Sequence, residues 1–244
     1  MLLDLSPLKV SRDYRQLFFG QLVSFFGSMM TFIVVPWQMY QLTQSSAMVG
    51  YIYLAEFVPM VVLAFVGGAL ADFLDKRKML RLTEIGQTVT TAILLGNSLL
   101  PRPQIWVLFL CVALHAGLAA IQRPAFESFI QKIIPPDLMS AVMALNSIRW
   151  SVGAIVSPAI AGIISTQFSS SVAYTIDLFT FIASLIAVFL LRAVPSPENA
   201  EKPSWQGIKR AWKYAFSRQE LVGTYFIDIA AMFFAMPQAL YPAL

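Results

Sequence analysis

Ionisable side chains lie inside several long apolar stretches of this chain, where they could bind a proton or a cationic ligand. Glu56 lies near the middle of one stretch, Asp177 lies near the start of another, and Asp228 lies well inside the last. A charged group in such surroundings is costly, and by default it indicates function. The alternative is a structural role, in which each carboxylate pairs with Arg149 or accepts backbone hydrogen bonds. Asp177 lies closest to a stretch end, which favours the structural role.

His115 is the only histidine, and Cys111 is the only cysteine. A single histidine without spaced partners does not form a metal site, so we expect no metal. His115 could titrate near neutral pH or could be a packed polar ring. The sequence contains no phosphate-binding loop, nucleophile elbow or zinc-binding helix motif. We therefore expect neither an enzyme nor a cofactor.

The composition is typical of a protein that crosses a membrane several times. Of the 244 residues, 58% are hydrophobic and 12% are charged, whereas soluble domains carry about 25% charged residues. The mean hydropathy of +0.69 agrees. The net charge of +4 is explained by cations in the loops, so we expect a lipid bilayer as partner and no nucleic acid. The fold class predicted is all-α and polytopic.

Apolar runs of about 20 residues, the length that spans a bilayer as a helix, recur along the chain. Six spans are predicted at about 17–40, 48–71, 79–99, 105–129, 140–165 and 172–191. A basic amphipathic helix is predicted over 205–218, before a seventh apolar run that begins near Leu221. The expected domains are a segment 1–16, a six-span bundle 17–193, a linker 194–219 and a seventh span 220–244.

The lysines and arginines are distributed unevenly between the two sides of the predicted bundle. If the N-terminus is cytoplasmic, every lysine and arginine except Arg102 lies in an inner segment or at the inner end of a span. Positive charge is enriched on the cytoplasmic side of membrane proteins. We therefore predict a multi-pass protein with a cytoplasmic N-terminus.

The turn between the second and third predicted spans carries a recognisable motif. It reads GALADFLDKRK and contains Gly68, Asp72, Asp75, Lys76, Arg77 and Lys78. It resembles the signature loop of the major facilitator superfamily, in which a glycine occupies the place of Asp75. We expect a left-handed turn at that residue, because Asp tolerates this conformation better than most side chains. The alternative is an ordinary positively charged inner loop.

The resemblance implies a gating role for this loop. In the superfamily, the residue matching Asp72 holds a helix of the second half and locks the outward-facing state. The resemblance extends over the chain, which is similar to the drug and siderophore exporter branch of the superfamily. It implies a secondary transporter of the bacterial inner membrane that exports an amphipathic small molecule by alternating access, with protons as the coupling ion.

The fifth predicted span carries a second motif of small residues. Gly153, Ser157, Pro158 and Gly162 resemble the antiporter motif of the same superfamily, with Ser157 in place of its central glycine. Such residues allow close helix approach, and proline bends the helix. An ordinary packing seam explains them equally well, as it does Gly20, Ser24 and Ser28 in the first span.

Two charge pairs are predicted at the ends of spans. Glu84 follows Arg81 by three residues, and Glu127 follows Arg123 by four. Residues at these separations are neighbours on a helix surface. Both are expected to be interfacial ion pairs.

The family layout requires more than these spans. Six spans and one more correspond to a first bundle and the start of a second, so we expect a C-terminal bundle or a second chain as partner. A competing hypothesis is a membrane scaffold or assembly partner that uses the amphipathic helix. A membrane enzyme is disfavoured because no nucleophile–base pair is evident.

Overall fold

The computed structural model describes residues 4–73 and 75–192, and the isolated positions 217, 218, 223 and 227. Within the helices, the side chains at 65, 66, 69–73, 165 and 166 are not described. The side chain of Asp72 is therefore outside the description. The predicted linker helix, the predicted seventh span and Asp228 also lie outside it, apart from the four isolated positions.

The described residues form a chain of α-helices joined by short turns. These are α1 (Ser6–Val10), α2 (Arg12–Thr43), α3 (Ser46–Phe73), α4 (Lys76–Ser98), α5 (Ile105–Ile133), α6 (Met139–Gln167) and α7 (Ser170–Phe189), with a 3-10 turn at Pro136–Leu138 before α6. The six long helices, α2 to α7, correspond one to one to the six predicted spans. The all-α polytopic fold is confirmed.

Five of the described helices, α2, α3, α5, α6 and α7, are long and apolar enough to cross a membrane. The remaining long helix, α4, has 23 residues but a more polar composition. Its polar side chains, among them Thr83, Gln87 and Thr91, are buried against the other helices. An inward-facing polar stripe lowers the hydropathy of a helix without exposing polar groups to lipid. This accounts for the composition of the predicted third span.

The turn between α3 and α4 corrects one expectation. Asp75 does not adopt the left-handed conformation, because its backbone is extended with φ −60° and ψ 113°. Its carboxylate accepts hydrogen bonds from the backbone N–H groups of Arg77 (2.9 Å) and Lys78 (3.4 Å). An aspartate at this position satisfies free N–H groups of the first helical turn. Asp75 is therefore the N-cap of α4.

The helix contacts repeat in two sets of three helices. The α3–α5 contact corresponds to the α6–α2 contact, and the α4–α5 contact corresponds to the α7–α2 contact. The α4–α7 contact joins the third helix of one set to the third helix of the other. Exchanging α2, α3 and α4 for α5, α6 and α7 therefore preserves these contacts, whereas the smaller α2–α3 and α6–α7 contacts have no counterpart of similar extent. Because each set holds an odd number of spans, the second set runs through the bundle in the opposite direction, the arrangement of an inverted repeat.

Small residues bring α2 and α7 together. A Cβ added to Gly20 would lie 2.8 Å from the Cβ of Ala187. One added to Gly27 would overlap the side chains of Thr180 and Asp177. Close helix approach at small residues is a common device in membranes. The predicted seam is therefore partly correct: Gly20 packs against α7, whereas Ser28 lines a cavity.

Two apolar clusters occupy opposite ends of the bundle. One contains Met39, Ile52, Leu108 and Tyr174, and the other contains Tyr14, Leu17, Leu80, Phe129 and Leu145. Buried polar side chains are concentrated between them, half-way along the helices. This polar band comprises Ser24, Thr83, Glu84, Gln87, Thr90, Thr91, Gln122, Ser157, Asp177 and Ser184. Polar groups at this depth are costly, so the band is where a functional site is expected.

Candidate functional site

A cavity of about 590 Å³ opens beside the polar band. Its wall is formed mainly by α2, α3 and α5, and α4 and α7 contribute a few side chains. The apolar part of the wall includes Phe25, Met29, Phe32, Met60 and Phe181. The polar part includes Gln21, Ser24, Ser28, Thr31, Glu56, Glu84, Gln87, His115, Gln122, Arg123 and Glu127. A mostly apolar cavity with a few polar groups is typical of a small-molecule binding site.

Glu56 lies in the wall of this cavity on α3. Its side chain is half-buried, and it forms no hydrogen bond or ion pair with another described residue. One turn earlier, Tyr53 packs edge-on against Phe32 with ring centroids 6.0 Å apart. The carboxylate of Glu56 therefore remains available to a proton or a ligand.

His115 also lies in the cavity wall, on α5. Its ring packs edge-on against Phe181, with centroids 5.5 Å apart. The described residues include no group of three metal-ligating side chains around it. The geometry is that of a half-buried polar ring in the cavity wall.

Arg149 lies on α6, outside the cavity wall. Its guanidinium stacks over the rings of Phe25, 5.5 Å away, and Phe126, 5.9 Å away. Such stacking stabilises a cation within an apolar region. No described carboxylate lies within ion-pair distance of Arg149, so the alternative in which it pairs with Glu56 or Asp177 is not observed. Phe25, which Arg149 contacts, does line the cavity.

Asp177 lies on α7 and is fully buried behind the cavity wall. It accepts a hydrogen bond of 2.6 Å from the hydroxyl of Thr31 on α2. It also accepts a longer one, of 3.5 Å, from Thr180. Gly27 makes room for this contact. These interactions join α2 to α7, which is the arrangement expected for a structural carboxylate.

The predicted pair between Arg81 and Glu84 is wrong. Arg81 instead donates a hydrogen bond of 2.8 Å to the carbonyl of Phe189, and its guanidinium lies 4.7 Å from the centre of that ring. Glu84 points the other way and is 0% exposed. The predicted pair between Arg123 and Glu127 is present, with 3.5 Å between nitrogen and oxygen, on the exposed face of α5.

Glu84 is the functional candidate that the sequence interpretation missed. Its Oε2 accepts hydrogen bonds from the amide of Gln21 on α2, at 3.4 Å, and from the amide of Gln122 on α5. Its Oε1 is buried and has no partner among the described residues. A signal for this existed in the sequence. Glu84 shares its helix face with Leu80, Gln87, Thr91 and Leu94, all of which are buried.

The residues of the loop motif contribute to helix packing and to helix capping. Both Arg77 (3.3 Å) and Arg81 (2.8 Å) donate to the carbonyl of Phe189 at the end of α7. Cations at a helix C-terminus interact favourably with its partial negative charge. Gly68 has open space around it, whereas a Cβ on Gly67 would lie 2.7 Å from the Cα of Ile121. Gly67, which precedes Gly68 of the motif, is thus the glycine that close packing requires.

The small-residue motif of α6 faces two directions. Gly153 packs against the ring of Phe25, and Ser157 is buried. Pro158 and Gly162 lie on the exposed face of the helix, and no atom lies within 4 Å of a Cβ added to Gly162. Half of the motif therefore serves the contact with α2, and the other half lies on an outer surface.

Comparison with known proteins agrees with this architecture. The model of the transmembrane secretion effector family, a branch of the major facilitator superfamily, matches residues 3–244. The enterobactin exporter EntS of Citrobacter koseri is 24% identical over 243 residues, which cover 100% of this chain and 58% of that protein. EntS of Salmonella typhimurium is 24% identical over 246 residues, covering 100% and 59%.

The enterobactin exporter EntS of Escherichia coli O1:K1 shows the same relation, at 24% identity with 100% and 58% coverage. The chain thus spans somewhat more than half the length of these relatives. The family match extends over nearly all of the chain, and the all-α bundle with its central cavity has the architecture that the match implies. The chain is a multi-pass membrane protein that belongs to the transmembrane secretion effector family of the major facilitator superfamily.

Proposed function

We propose that this chain is part of a secondary transporter that exports amphipathic small molecules across the bacterial inner membrane. The observation that carries the proposal is the unpaired carboxylate of Glu56 in the wall of a largely apolar cavity. An ionisable group at this depth in a membrane span is costly to retain without a function. A group that can exchange a proton there suits proton-coupled export.

The cavity wall indicates the chemical class of the substrate. Phe25, Phe32 and Phe181 offer flat apolar surfaces, and Met29 and Met60 offer flexible ones. Methionine and aromatic surfaces accommodate ligands of varied shape. We infer an aromatic, amphipathic substrate of the drug or siderophore type. The relatives to which the chain is similar are, by their name, exporters of enterobactin.

A second bundle would complete the transport pathway. The chain spans 58% of the length of a relative, and the outer face of α6 exposes Ile155, Pro158 and Gly162. We propose that this face and the inner end of α3, which carries Asp72, contact the second bundle. Alternating access would then arise as the two bundles rock, with Asp72 holding the outward-facing state. The distribution of cations favours a cytoplasmic N-terminus for this arrangement.

Efflux from cells tests the proposal. The natural full-length protein is expressed in a bacterial strain that lacks its own drug exporters, and the loss of a fluorescent amphipathic dye is followed over time. We expect dye to leave faster than from cells with an empty vector, and to leave more slowly after a protonophore dissipates the proton gradient. Glu56→Gln, which cannot exchange a proton, should abolish the gradient-driven component.

The control is Asp137→Asn, the same chemical change at an exposed position of the 3-10 turn, which should leave efflux unchanged. Full efflux by Glu56→Gln would refute the role of Glu56, and so would equal losses in the two variants at equal expression. Residues 1–244 expressed alone should not export dye. Efflux by that segment would contradict the need for a second bundle.

A further inference from the structure

We propose that Glu84 is a proton-binding site, formed with Gln21 and Gln122 between α2, α4 and α5. The proposal rests on the proposed transport function for its purpose, but not for the chemistry of the site. Glu84 lines the cavity and is 0% exposed. It differs from Glu56 in its depth and in its hydrogen bonding.

The two glutamines define one side of the carboxyl group. Both side-chain amides donate to Oε2, from Gln21 at 3.4 Å and from Gln122 at closer range. The opposite oxygen, Oε1, has no partner among the described residues. A protonated carboxyl group carries one O–H and one carbonyl oxygen. The two donors thus mark Oε2 as the carbonyl oxygen and leave Oε1 for the proton.

An acceptor for that proton is available on α7. The side chain of Ser184 is buried and lies close to the carboxyl group of Glu84. Its hydroxyl oxygen has no hydrogen-bond partner among the described residues. A hydroxyl can accept a hydrogen bond as well as donate one. Protonation at Oε1 would therefore satisfy two buried polar atoms at once.

The charged groups on the surrounding helices do not neutralise Glu84. Its described interactions are hydrogen bonds with uncharged side chains. Arg81 on α4 contacts Phe189, Arg149 on α6 contacts Phe25, and Asp177 on α7 accepts a hydrogen bond from Thr31. Arg123 and Glu127 on α5 form an ion pair with each other. Glu56 and His115 line the same cavity and form no hydrogen bond or ion pair with Glu84 among the described residues. An uncompensated buried carboxylate is strongly disfavoured. A bound proton removes that cost.

A metal cation fits the site less well than a proton does. A sodium or calcium ion requires several oxygen ligands at once, whereas the amide groups of Gln21 and Gln122 present N–H donors to the carboxyl group. A proton needs a single oxygen. The site therefore exchanges a proton with the cavity, and opening of the α2–α4–α5 contact would release it.

Infrared spectroscopy of the purified natural full-length protein in lipid nanodiscs tests this proposal. A protonated carboxyl group has a carbonyl stretch that is separate from the bands of a carboxylate. Spectra recorded over a series of pH values should contain one pH-dependent component that Glu84→Gln removes. Gln122→Leu should move the same component to higher frequency, because the carbonyl oxygen loses a hydrogen bond. Glu127→Gln, at an exposed position of the same wall, should leave it in place.

Glu84→Asp serves as a second variant if Glu84→Gln does not fold, and it should shift the component rather than remove it. A spectrum unchanged by substitution of Glu84, or carboxylate bands alone from Glu84 at every pH, would overturn the proposal. The spectra are independent of transport. If the proton gradient does not change the rate of wild-type efflux, the proton coupling in the proposed function is refuted. The spectra still decide whether Glu84 binds a proton.

Discussion

Glu84 and Asp177 are both buried carboxylates in the polar band, but their surroundings differ. Asp177 lies behind the cavity wall, where hydroxyl groups of Thr31 and Thr180 donate to it. Glu84 lies in the cavity wall with one oxygen bound by two amides and the other unpartnered. Both carboxyl groups connect neighbouring helices through hydrogen bonds, yet only Glu84 retains an oxygen without a hydrogen-bond partner among the described residues.

The difference separates a structural carboxylate from a functional one. A buried polar group that is fully hydrogen-bonded contributes to one fixed packing arrangement. A buried polar atom that lines a cavity without a hydrogen-bond partner is costly in that arrangement. Binding of a proton or ligand removes that cost. Substitutions at Asp177 should therefore affect stability, and substitutions at Glu84 should affect proton exchange.

The largest expected effect comes from filling the space beside Asp177. Gly27→Leu would place a side chain into Thr180 and Asp177, which separates α2 from α7. We expect the variant to lose folded protein, measured by size-exclusion chromatography in detergent. Gly96→Leu is the matched control, because no atom lies within 4 Å of a Cβ at Gly96, and it should elute as the wild type does. Equal behaviour of the two variants would show that the α2–α7 contact is not tight.

A smaller effect is expected from removing the carboxylates themselves. Asp177→Ala leaves the hydroxyl of Thr31 without its acceptor, which should cost about 1–3 kcal/mol of stability. Glu84→Gln preserves the shape of the side chain and removes an uncompensated buried carboxyl group, so its cost should be smaller. Thermal unfolding of the two purified full-length variants measures the difference. A greater loss of stability in Glu84→Gln would reverse the assignment of roles.

The smallest effect is expected from the hydrogen-bond donors. Thr31→Val removes the 2.6 Å hydrogen bond to Asp177 and should lower stability by about 1 kcal/mol, the usual net value of such a bond. Gln21→Leu removes a 3.4 Å bond to Glu84, and Gln122 remains bound. Its effect on unfolding should be smaller than that of Thr31→Val. The opposite order would indicate that Gln21 is a structural residue and not part of a proton site.

The helices could be predicted because lipid imposes length and composition. Each predicted span coincides with one helix from α2 to α7, with ends that agree within a few residues. The match holds even for α4, in which inward polar residues lower the hydropathy. Apolar run length is a local property of the chain, so a single sequence is enough to read it.

The site was harder to predict because its groups meet through tertiary packing. Arg81 and Glu84 are close in sequence, which suggested a pair, but Arg81 reaches the end of α7, 108 residues away along the chain. Gln21 and Gln122 lie 63 and 38 residues from Glu84. The spacing of Leu80, Glu84 and Gln87 is that of residues on one face of a helix. It could not indicate which side chains of other helices face it.

The loop motif shows a second limit of sequence interpretation. A pattern match places Asp75 where the family has glycine and suggests a left-handed residue. The structure uses the same aspartate as a helix N-cap with an extended backbone. Both conformations suit an aspartate in a turn, so residue preference alone could not choose between them.

Transport by reconstituted full-length protein tests the central claim, which is that protons drive export through a cavity where Glu84, in addition to Glu56, binds a proton and Asp177 does not. Accumulation of a fluorescent amphipathic dye in proteoliposomes is measured with and without an imposed pH gradient. The account predicts that the gradient accelerates the wild type and folded Asp177→Asn, but has no effect on Glu84→Gln, which still moves dye down its own gradient. A Glu84→Gln variant that responds to the pH gradient as the wild type does would contradict the claim.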